Sequence, residues 1–72
     1  MTPQQFADTL TREGLASILR HNTRLLKQLE LLDKQFGEQG KEARDNARIN
    51  LVEKIKNINK AIAIKGKQHE NG

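Results

Sequence analysis

The sequence predicts an all-α chain, an antiparallel helical hairpin that dimerises into a four-helix bundle. Three observations carry that expectation: a helix-opening signal at Thr2, apolar residues recurring every three or four positions in two long segments, and a pair of glycines between those segments.

The opening MTPQQ places Thr2 as N-cap and Pro3 at the first helical position, where its missing N–H costs nothing. Gln5, three residues after the cap, completes a capping box. A first helix is therefore expected over residues 3–35. Within it Leu15, Ile18, Leu25, Leu29, Leu32 and Phe36 alternate between spacings of three and four, with Asn22 in the remaining slot. Leu19 and Leu26 widen this seam into the stripe of a bundle helix. Gly14 interrupts the pattern at a cost of about 1 kcal/mol relative to alanine, which marks a place to bend; one continuous helix is the expectation.

The segment FGEQGK, residues 36–41, is the expected turn, with Gly37 suited to the left-handed position that ends a helix. A second helix follows over 41–65, where Leu51, Ile55, Ile58 and Ile62 keep the helical period and Ala47, Val52 and Ala61 flank them. Folding back at the turn places Ile18 opposite Ile58, Asn22 opposite Ile55 and Leu25 opposite Leu51. The final GKQHENG, residues 66–72, has no apolar anchor and is expected to be a flexible tail.

With 72 residues, 35% of them apolar, and only Phe6 and Phe36 as aromatics, a lone copy has little core to bury. There is no cysteine, which excludes disulfides and thiolate metal sites, so self-association is the remaining route to stability. The predicted dimer and core positions are Leu15, Ile18, Asn22, Leu25, Leu29, Leu32, Leu51, Ile55, Ile58 and Ile62, with Asn22 a polar residue that pins the register. No run approaches the roughly 18 apolar residues of a membrane span, and the N-terminus lacks the basic and apolar regions of a signal peptide. A cytoplasmic protein without a membrane partner is expected.

The net charge of +4 arises from 13 Lys and Arg against 9 Asp and Glu, a bias towards anionic partners. Heptad projection puts Arg20, Lys27 and Lys34 furthest from the seam, with Arg24 beside them, a stripe able to neutralise phosphates on RNA or DNA. Without Trp or Tyr, base stacking is not the expected means of recognition. Phe6 is expected to pack against the end of the second helix, and Phe36 to close the core beside the turn. Arg44 and Arg48 occupy seam positions near the turn, where their stems can cover apolar surface while their guanidinium groups reach water or the carboxylates of Asp33 and Glu30; an exposed arginine pair for a phosphate is the alternative.

The parts of an enzyme are missing from the sequence: His21 and His69 are not spaced as helix-borne ligands, and no strand precedes a glycine-rich loop. No cofactor, metal or catalytic residue is expected. A second reading is a protein-interaction module, an adaptor or inhibitor that meets a partner, such as an acidic protein, through Leu31, Ile49 and Ile64, which lie outside the seam.

The opening MT-x-Q, the run A-x-I-L-R-x-N-T-x-L-L over 16–26 and the L-x-L-L-D ending at Asp33 resemble the Rop family of small plasmid RNA-binding regulators. That resemblance implies a dimer of antiparallel hairpins that grips RNA through the outer surface of its paired first helices. It places Ile18 where the family carries an aromatic contact residue, and Asn22 where it carries an amide. Phosphate contacts on this chain would then fall to Arg20, Arg24 and Lys27. The second half departs from the family, being basic and isoleucine-rich where members are more acidic and contain cysteine.

Overall fold

The structure is a computed structural model that describes residues 2–71, with side chains described as far as Lys67. Three helices and no strand are found among these residues: α1 (Pro3–Thr9), α2 (Arg12–Phe36) and α3 (Lys41–Asn71). They pack as a narrow helical bundle, 50 × 17 × 15 Å.

α1 opens as the sequence dictates. The Thr2 hydroxyl accepts from the Gln5 amide, and the Gln5 side chain accepts from the Thr2 amide at 2.8 Å. The expected single helix over 3–35 is not formed, however. Leu10 and Thr11 are both extended, and the Thr11 hydroxyl captures the Gly14 amide at 3.0 Å, so α2 starts from its own cap. The interruption falls ahead of Gly14 because a cap competes with helix continuation wherever a threonine can accept from the amide three residues on. Gly14 supports that cap: a Cβ there would stand 3.3 Å from the Thr11 hydroxyl oxygen. Thr11→Ala is expected to cost about 1 kcal/mol, read as a lower midpoint in thermal melting followed by circular dichroism.

α2 ends at Gly37, whose φ of 59° needs glycine but whose ψ of −122° lies outside the left-handed helical region expected of it, and whose amide donates to the Asp33 carbonyl at 2.9 Å. Gly40, at φ 74°, makes the second reversal. α3 then passes the expected end at residue 65 and continues through Gly66, which keeps a negative φ, to Asn71. Glycine inside a helix is a penalty and not a stop, and Ile64, packed against the core, anchors the turn just before it. The side chains of the expected flexible tail beyond Lys67, His69 among them, lie outside the described residues.

Detaching α1 from α2 decides where the core sits. Phe6 and Ala7 of α1 are buried with Leu15 of α2 and with Ile58 and Ala61 of α3, and Leu10, Ile18, Leu19, Ile62 and Ile64 pack around them. Leu15 and Ile58 are fully buried, each contributing on the order of 2 kcal/mol by removal from water. The core therefore lies at the end away from the turn.

The remaining expected core positions are less covered. Ile18, Leu25, Leu29, Leu51, Ile55 and Ile62 are half-buried, and Leu32 is exposed. Phe36, expected to close the core at the turn, is 48% exposed because it stands on the last turn of α2, beyond the reach of α1. Asn22 is buried as expected, but its amide donates to the Ile18 carbonyl of its own helix at 2.8 Å, and no cross-helix hydrogen bond to it occurs among the described residues.

Candidate nucleic-acid interface

Two clusters of charge divide the molecule. At the turn, the Arg44 guanidinium donates from Nε to Asp33 Oδ1 at 2.6 Å and from Nη1 to the Gln39 carbonyl at 2.6 Å. Its Nη2 donates to the Gly37 carbonyl. One planar fork thus ties the end of α2, the turn and the start of α3 together. Arg48 donates to the other oxygen of Asp33 and, at 2.7 Å, to Asp45. The expected partner Asp33 is found; Glu30 is exposed and takes no part, since Asp33 alone stands on the last turns of α2 where both forks reach it. The Arg44 hydrogen bond holds the Asp33 carboxyl below its ordinary value of 3.8; burial opposes this, and the Arg48 charge reinforces it.

The outer face of α2 is different. Arg20, Arg24 and Lys27, with Leu19 and Thr23, line one shallow groove of about 390 Å³. The Thr23 hydroxyl donates back to the Leu19 carbonyl of its own helix at 2.8 Å. All three cations are exposed, and none is ion-paired among the described residues. Lys34, the fourth cation of the expected stripe, is exposed but lies outside the groove, nearly two turns further towards Gly37.

The charge is unevenly distributed along the chain. Residues 30–48 carry five acids and four bases, whereas the rest of the chain carries four acids and nine bases. The turn end is thus close to neutral, and the excess of cations belongs to the first half of α2 and to α3 from Lys54 onwards.

The apolar residues outside the seam behave unequally. Leu31 and Ile49 are each 63% exposed, as expected, but Ile64 is half-buried against the core because α1 lies over that side of α3. The sequence did not point to a groove on α3, lined by Ile49, Val52, Lys56 and Lys60 and about 500 Å³ in volume. The recurrence of lysine at 56 and 60 beyond an exposed Ile49 was the available signal.

No three His, Cys, Asp or Glu residues gather as a metal site, and no helix is long and apolar enough to cross a membrane, among the described residues. No family model, curated protein or solved structure matches this chain.

Proposed function

We propose that the chain is a non-enzymatic, dimeric nucleic-acid-binding regulator that grips the phosphates of RNA through the α2 face formed by Arg20, Arg24 and Lys27. The observation that carries this reading is the placement of those three cations around one groove without acidic partners, while two of the acids near the turn, Asp33 and Asp45, are occupied by Arg44 and Arg48. Spaced four and three residues apart, the three span about 10 Å of helix, enough to follow a phosphate backbone. In this reading two antiparallel hairpins pair, each adding one such stripe, with Lys34 extending it, and the protein works in the cytoplasm. The likeness of residues 16–26 to the Rop family supports the same reading.

The test is binding to structured RNA and to duplex DNA across a salt series. Three neutralised phosphates per chain give a slope of log affinity against log salt of about −2 to −3 per copy. Arg20→Ala with Arg24→Ala should flatten it by about 2 per copy and weaken binding on every sequence alike. Absence of binding at low salt would sink the proposal.

The α3 groove favours a second reading, in which a protein segment sets apolar side chains on Ile49 and Val52 and acids on Lys56 and Lys60. Binding that is insensitive to the α2 substitutions and abolished by Ile49→Asp would select it.

A further inference from the structure

α1 covers only part of the side of the bundle on which it lies. It packs chiefly against α3 at the core end of the trough between α2 and α3, where Phe6 and Ala7 join Leu15, Ile58 and Ala61 in one buried cluster, and Phe6 shares a shallow crevice with Asn50 and Asn57. From there to the turn the trough continues bare, a groove of about 390 Å³ lined by Leu25, Leu29, Leu32, Ala47 and Leu51. Leu32 and Ala47 are exposed. Phe36, four residues after Leu32, and Ala43, four before Ala47, extend the same apolar strip to the turn.

We propose that this bare half-groove is closed by the same half-groove of a second copy, related by a two-fold axis, and that α1 is the stop that prevents the two copies from sliding into full overlap. The inference deepens the dimeric part of the reading above and is independent of its nucleic-acid part.

Three observations select a second copy as the occupant. The only polar residues lining the groove are Gln28 and Asn50. A two-fold contact sets the same patch against itself, so groups near the axis meet their own equivalents, and an amide, donor and acceptor at once, tolerates this where a charge does not. An uncharged rim likewise offers nothing to attract a strongly acidic or basic partner. Overlap at the turn ends also juxtaposes the segments that are nearly neutral, residues 30–48, and carries the two cation-rich ends as far apart as the chains permit. Full overlap is blocked by Phe6 and Ala7, which already fill the trough over Leu15, Ile58 and Ala61. The α2 cations around Arg20 and Arg24 are on a different side of α2 from Leu25 and Leu32 and stay open to solvent in such a pair.

Sedimentation equilibrium with small-angle X-ray scattering tests this on the whole chain. A dimer is expected at about 50 µM, with a maximum dimension of about 75 Å, from two 50 Å rods overlapping by half. Leu32→Arg and, separately, Ala47→Glu should each weaken dimerisation at least about tenfold with helical content retained, since both positions are exposed within one copy. Leu31→Arg, on another face, should leave it unchanged. A dimer only about 50 Å long, or one indifferent to Leu32→Arg and Ala47→Glu, overturns the offset pairing while dimerisation stands. A monomer throughout overturns both.

Discussion

Ile58→Ala is expected to remove about 3 kcal/mol of stability. Ile58 is fully buried at the point where all three helices meet, in a cluster with Phe6, Ala7, Leu15 and Ala61. Truncation there leaves a cavity that none of these neighbours can fill without moving a helix. In a chain of 72 residues with so small a core, such a loss approaches the whole net stability of one copy. Circular dichroism at 222 nm should show a broad, low transition for Ile58→Ala and a modest decrease, about 1 kcal/mol, for Ile58→Val. Leu31→Ala, at a site 63% exposed, should stay within about 0.5 kcal/mol of the parent. Equal effects at positions 31 and 58 would mean that the core is not at the three-helix junction.

Arg44→Ala is expected to cost about 2 kcal/mol, because it strips the Gly37 and Gln39 carbonyls of their donor and leaves Arg48 as the one remaining side-chain bridge to Asp33. Arg44→Lys should recover little, since an ammonium cannot span three acceptors with one planar fork. Arg48→Ala should cost less than Arg44→Ala, its side chain being more exposed, 31% against 10%. The same clasp gives the stability a dependence on pH. The Asp33 pKa is lower in the folded chain than its ordinary 3.8, so protons favour the unfolded state. The contribution is complete above the ordinary value and is lost as pH falls through the folded one. Solvent screening at a carboxylate 38% exposed keeps it modest. Melting midpoints measured between pH 6 and pH 2 should fall for the parent and less for Asp33→Asn; a parallel fall in both would assign the acid sensitivity elsewhere.

The features legible in the sequence were those whose causes lie within a few residues. The Thr2 capping box, the helix end at a positive-φ Gly37 and the helical period of Leu15 to Phe36 are all local, and each is found. The Thr11 cap is local as well, and Glu13 in the first turn of α2 was a sign of it, but unbroken helical spacing outweighed both. What the sequence does not encode locally is where α1 goes once it is free. Packing of Phe6 against the second helix was expected, but burial of Ala7 and Ala61, half-burial of Ile64 and exposure of Phe36 depend on how α1 as a whole docks. The Arg20, Arg24 and Lys27 cluster was readable because it needs only the period of one helix. The bare half-groove was not, because it is defined by the end of α1.

The separation of α1 from α2 also sets an order of events during folding. The Asp33 to Arg44 contact closes a loop of eleven residues, whereas Phe6 must find Ile58 and Ala61 from the opposite end of the sequence. Short closures are entropically cheap and form early; long ones wait for the chain between them to be organised. The turn is thus expected to form first, and α1 to dock last onto two helices already laid side by side. By the same reasoning it is the first element released when the structure opens, so the trough over Leu15 and Ile58 is the part of the molecule most often exposed to a competing helix.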